Sequence, residues 1–155
     1  MERPYLIEIR LMGESKHIAK KLIYDIYHKF RVKKIASNHP VPHVTLFGSF
    51  GCTSISSVMR CIREVCSEYS ELEYQINGFD YFELKKKFIF ITTSTRKNVL
   101  YLKIIPSKEL EECRYRLAQK LLKINEIDTI DGDKASKDKF EFHTTLAMKD
   151  INKKF

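Results

Sequence analysis

The pattern His-x-Thr-Leu occurs twice in this chain, as His43-Val44-Thr45-Leu46 and His143-Thr144-Thr145-Leu146, each opening a β-rich run. In an extended strand, residues i and i+2 project to one face and i+1 and i+3 to the other. His43 and Thr45 are therefore expected side by side, with Val44 and Leu46 buried behind them. His143 and Thr145 are expected to pair likewise, with Leu146 and Met148 behind. What precedes each copy repeats as well. A strand at 5–12, an amphipathic helix and a loop lead to His43; a strand at 99–105, a second such helix and a loop lead to His143. Such a duplicated β-α-β unit, with one imidazole per copy, predicts two histidines facing each other across a pseudo-twofold cleft.

The rest of the chain fits round this repeat. Gly13 ends the first strand and Ser15 is placed to cap a helix with Ile18, Leu22, Ile26 and Phe30 on its apolar face. Pro40 and Pro42 hold the approach to His43 extended. Ile55, Val58, Ile62, Val65 and Tyr69 mark a second amphipathic helix. Residues 73–82 read as a strand with a bulge or tight turn at Asn77-Gly78. Residues 87–95 and 99–105 read as a hairpin. Ser107 opens a third helix with Leu110, Cys113, Leu117, Leu121 and Ile124 inward, and residues 128–139 read as a polar loop.

Length and composition narrow the class. The chain has 155 residues, 43% of them hydrophobic and 12% aromatic, which suits one compact domain and excludes a disordered chain. It carries a net charge of +8. Much of the surplus lies at Lys16, Lys20, Lys21, Lys29, Arg31, Lys33 and Lys34, with Asp25 alone opposing it. A basic stripe attracts polyanions, but on charge alone an ordinary solvated helix face is the preferred account. No apolar run reaches the ~20 residues of a membrane helix, and the start lacks an apolar leader, so a cytoplasmic protein is expected. The four cysteines form no Cys-x-x-Cys pair and are expected as free thiols.

Two imidazoles and two hydroxyls on rigid strands suit one kind of chemistry. When a cyclic phosphate opens or closes, an attacking hydroxyl loses a proton and a leaving oxygen gains one, and histidine does either near neutrality. Threonine hydroxyls can donate to the non-bridging oxygens during in-line displacement. No metal or other cofactor is required by this scheme. A lone His-x-Thr carries little meaning. Two identical copies at equivalent places in a duplicated unit, among five histidines in all, point to one shared site.

These residues also resemble a family. The opening YLIEIRL, the run PVPHVTLFGSF, INGFDYF, IPSKEL and FEFHTTLAMKD are similar to the two-histidine phosphoesterases, within them the RNA 2′–5′ ligases and 2′,3′-cyclic phosphodiesterases. The resemblance implies an α+β fold, bilobal, in which two pseudo-symmetric β-α-β units set antiparallel sheets along a central cleft with helices outside. The whole of 1–155 would be one such domain, lobe 1 spanning about 1–70 and lobe 2 about 71–155. His43 and His143 would be catalytic, with Thr45 and Thr145 binding phosphate. The implied reactions are hydrolysis of RNA 2′,3′-cyclic phosphate to 2′-phosphate and the joining of RNA ends by a 2′–5′ bond. The implied partner is RNA such as tRNA fragments, taken up by a monomer. Alternatives are a phosphodiesterase of small cyclic nucleotides or 2′–5′ oligoadenylates, and a non-catalytic nucleotide- or RNA-binding module. Phe142 departs from the proline that many relatives carry before the second histidine.

Other residues weigh less. Arg10 on the first strand and Lys149 beyond the second motif are outside candidates for phosphate. Tyr81 and Phe82 suit base stacking, but core packing is the expectation for strand aromatics. His17 and His28 are expected on the surface, and His39-x₃-His43 with its two prolines is a poor metal clip. Asp131-Gly132-Asp133 lacks the closing glutamate of a calcium loop. No metal site is expected.

Overall fold

The computed structural model describes residues 5–32, 41–84, 97–129 and 140–148. In chain order the elements are β1 (Tyr5–Arg10), α1 (Gly13–Phe30), β2 (His43–Cys52), α2 (Ile55–Cys66), β3 (Tyr74–Leu84), β4 (Lys97–Pro106), α3 (Lys108–Leu121), β5 (Ile127–Thr129) and β6 (His143–Met148). The fold is α+β, with two antiparallel three-stranded sheets ordered β1-β2-β5 and β3-β4-β6. The duplication is visible in this order. β1, which opens the first repeat, neighbours the strand carrying its histidine, and β4, which opens the second, neighbours β6.

The chain divides into two compact units, each assembled from three segments: Met1–Ile9, Thr45–Gln75 and Ile104–Phe142 in the first, Arg10–Val44, Ile76–Lys103 and His143–Phe155 in the second. The units are thus interleaved along the sequence. Long strands such as β2 and β4 contribute residues to both.

The first unit holds the sheet β1-β2-β5 and the packed pair α2 and α3. Its buried side chains include Phe47, Phe50, Val58, Cys61, Val65, Leu110, Cys113, Leu117 and Leu121. Helical spacing selects nearly all of the helical ones. Ser107 caps α3, its Oγ accepting from the Leu110 amide at 3.2 Å, as expected from its place before the apolar run. Outside, Arg116 forks onto Glu68 through two bonds of 2.6 Å. That guanidinium holds the Glu68 carboxyl below the usual carboxylate range. Burial pushes the Cys113 thiol up to about 12, so it stays protonated and unreactive. All four cysteines are free thiols.

The second unit holds α1 and the sheet β3-β4-β6, with α1 packed on β6. The inward line of α1 is Ala19 and Ile23, whereas Ile18 and Phe30 are exposed. The expected stripe is thus displaced by one residue. The helix also begins at Gly13, two residues before Ser15, and its N-cap Met12 supplies no side-chain bond. β3 runs unbroken through Asn77-Gly78, with Gly78 at φ 71°, a left-handed conformation that glycine adopts without a Cβ clash. The pair therefore lies within one continuous strand and does not turn the chain back.

Residues 127–129, the last two of which fall in the expected polar loop, instead form β5, which pairs with β2 through Phe50↔Thr129, Gly51↔Asp128 and Cys52↔Ile127. A three-residue strand is too short to show a period of two, so only its partner reveals it. The segment 87–95, His39, Lys149 and Asp131-Gly132-Asp133 lie outside the described residues. No described helix is long and apolar enough to cross a membrane.

Candidate active site

The two motif strands bury their side chains in the same rhythm. In β2, His43 and Thr45 are half-buried while Val44, Leu46 and Phe47 are buried; in β6, His143 and Thr145 are half-buried while Thr144, Leu146 and Ala147 are buried. Each strand presents one imidazole and one hydroxyl on its less buried face, as the sequence requires. His43, His143 and Thr145 belong to the second unit, and Thr45 opens a segment of the first.

Alternation then fails at the same step in both strands, where two consecutive residues are buried. In β6 the cause is a bulge. Val99 pairs with Met148 and Leu100 with Ala147, but Tyr101 pairs with Thr145, leaving Leu146 as the extra residue. The bulge turns Ala147 inward and leaves Met148 only half-buried, so the expectation of Met148 behind the motif does not hold. Bulges re-aim side chains, and this one lies immediately after the His-x-Thr pair.

Each ring is held differently. His43 Nδ1 lies 2.9 Å from the carbonyl oxygen of Val41. A carbonyl only accepts, so Nδ1 carries the proton and Nε2 is the nitrogen left to exchange one. The backbone of Pro42 is fixed in turn, its carbonyl accepting from the Leu11 amide at 2.9 Å just beyond β1. His143 instead stands against the buried ring of Tyr101, centroids 5.2 Å apart and planes inclined by 59°.

The face beside His143 holds residues that the sequence alone did not single out. Lys103 of β4 is the cross-strand partner of His143. Its ammonium lies 3.0 Å from Asp80 of β3, which also accepts the Tyr81 amide at 2.8 Å. Lys103 first, and that backbone bond second, hold the Asp80 carboxyl below the usual range. A lysine within the apolar run VLYLKII signals an outward-facing position, but only the register shows which residue it faces.

A second unforeseen residue braces β2. Arg114 of α3 is 1% exposed, its Nε donating to the Leu46 carbonyl at 3.2 Å and its guanidinium carbon 3.7 Å from the centre of the Phe140 ring. Contact with the aromatic face offsets part of what this buried charge loses on leaving water. In a helix of mixed charge nothing in the sequence distinguishes it from Arg116, which is exposed to the surface pair with Glu68.

Arg10 ends β1 as an exposed side chain. His17 and His28 are exposed, the latter with its ring 4.0 Å from Tyr24. Tyr81 is 67% exposed and so is not core. Among the described residues no group of three or more His, Cys, Asp or Glu side chains is placed to hold a metal ion. An open hollow of about 420 Å³ lies elsewhere, in the first unit, lined by Glu73, Tyr74, Gln75, Ile105, Pro106 and Ser107. Without an imidazole it offers no acid–base pair, so the motif strands remain the better candidate.

No curated protein and no solved structure matches the chain. The family model described as the 2′-5′ RNA ligase superfamily matches residues 20–155, a span that includes α1 from Lys20 on and both His-x-Thr strands. With that match over most of its length, and with two motif strands built to one plan, the chain belongs to the 2′-5′ RNA ligase superfamily.

Proposed function

We propose that this chain is a metal-independent RNA-end phosphoesterase in which His43 and His143 act as one acid–base pair. It hydrolyses an RNA 2′,3′-cyclic phosphate to a 2′-phosphate, and the same site joins RNA ends when a 5′-hydroxyl attacks in place of water. The observation that carries this reading is the paired strand: an imidazole and a hydroxyl on one face, twice, with the same burial rhythm. Superfamily membership supports phosphoester chemistry on RNA. The proton on His43 Nδ1 leaves Nε2 to act as base or, once protonated, as acid. Thr45 and Thr145 would donate to the non-bridging oxygens, whose charge must be stabilised through the transition state. The strained five-membered ring supplies much of the driving force.

The test is incubation of the pure protein, in EDTA, with an oligonucleotide ending in a 2′,3′-cyclic phosphate. Conversion to the 2′-phosphate is expected. Turnover of small cyclic nucleotides alone would move the substrate class to nucleotides, and tight binding without turnover would make the chain a binding module.

A further inference from the structure

The strand register places a charge at the second motif that the motif itself does not contain. In β4 and β6, Lys103 lies directly opposite His143, and Tyr101 directly opposite Thr145. Opposed residues of neighbouring strands project to the same face. The next pair along is joined by a bond from the Ile104 amide to the Phe142 carbonyl at 3.1 Å. Antiparallel ladders alternate bonded and non-bonded pairs, so Lys103 and His143 form a non-bonded pair, the kind whose Cα atoms approach to ~4.5 Å and whose side chains are closest. Both belong to the second unit, as do Tyr101, Thr145 and Asp80.

Lys103 is also steered. Asp80 reaches its ammonium from β3 at 3.0 Å, while the Tyr81 amide donates to Asp80 at 2.8 Å and limits its rotation. The pair is well exposed, 45% for the lysine side chain and 39% for the aspartate. In that setting an ion pair contributes little to folding. It does fix where a flexible four-carbon side chain lies, on the face of the sheet that Lys103 shares with its register partner His143. Asp80, Lys103 and His143 thus form a row across β3, β4 and β6.

We propose that Lys103, the register partner of His143, holds a non-bridging oxygen of the reacting phosphate, with Asp80 as the residue that fixes its place on their shared face. This rests on the phosphoesterase reading above. An ammonium is a compact point charge with three donors, suited to an oxygen whose negative charge persists through displacement.

The experiment compares Lys103→Met, Lys103→Arg and Asp80→Asn with the unaltered protein on two substrates, an oligonucleotide ending in a 2′,3′-cyclic phosphate and cytidine 2′,3′-cyclic phosphate. In parallel, anisotropy measures binding of 2′-phosphate-ended and hydroxyl-ended forms of one oligonucleotide. Lys103→Met is expected to lower kcat/KM by roughly ten- to a hundredfold on both substrates and to erase the preference for the phosphate-ended form. Lys103→Arg should recover most of the loss. Asp80→Asn should cost less and add nothing to Lys103→Met. The inference is overturned if Lys103→Met retains full activity, if it loses activity on the oligonucleotide alone, which would put Lys103 on a flanking backbone phosphate, or if it weakens both oligonucleotide forms alike. An unaltered protein inactive on both substrates would refute the phosphoesterase reading. The anisotropy preference would then still decide where Lys103 binds.

Discussion

β2 and β6 carry the same tetrapeptide pattern and bury it in the same rhythm, yet they are supported by different means. β2 extends from His43 to Cys52, takes a hydrogen bond from Arg114 onto the Leu46 carbonyl, and holds its imidazole through the Val41 carbonyl. β6 extends only from His143 to Met148, bulges at Leu146, and sets its imidazole against the Tyr101 ring. The position between His and Thr differs too. Val44 is apolar and buried. Thr144 is fully buried, and its Oγ1 has no hydrogen-bond partner among the described residues. A duplicated motif therefore fixes which side chains reach the surface, while each copy finds its own way to be held there.

The comparison can be broken most decisively at the rings. If the two strands serve one reaction, His43→Ala and His143→Ala should each lower kcat on a cyclic-phosphate RNA by at least ~10²–10⁴-fold. Far-UV circular dichroism should meanwhile remain unchanged. Loss from only one replacement would mean that the copies are not functional equivalents. The hydroxyls come next. Thr45→Ala and Thr145→Ala should each raise the barrier by about 2.7–4 kcal/mol or less, the cost of removing one donor to a developing oxyanion. Steady-state rates read this directly, and an unchanged rate for either would remove that threonine from the site.

Two smaller effects sharpen the asymmetry. Arg114→Met removes the brace on β2 alone and should cost about 1–3 kcal/mol in urea unfolding, since the Leu46 carbonyl loses a buried donor. A null result would show that Arg114 contributes no more than a well-packed apolar residue. Thr144→Val copies into β6 the residue that β2 has at that place. It removes a buried hydroxyl without a partner while keeping the shape, so a gain of about 1 kcal/mol is expected, with turnover unchanged. Destabilisation instead would mean that the hydroxyl is satisfied in solution.

Much of this was legible from residue order. Helical spacing found α2 and α3, alternation found the face carrying His43 and Thr45, and Ser107 marked the start of α3 through its own cap. These signals are local, because a cap or a period is formed within a few residues. The failures share the opposite character. α1 is polar enough that two neighbouring stripes compete, and packing on β6 chose Ala19 and Ile23. β5 is too short to carry a period. The bulge at Leu146 depends on how β4 pairs, and the exposure of Tyr81 depends on what packs against β3.

The sequence by itself determined that two strands would each present an imidazole beside a hydroxyl, because the two-residue repeat of an extended chain leaves no other arrangement. Only the tertiary structure decided what stands next to them. Lys103 faces His143, and Arg114 reaches Leu46, through pairings between segments distant in the chain. Such pairings follow from strand register and helix packing, which no local spacing encodes.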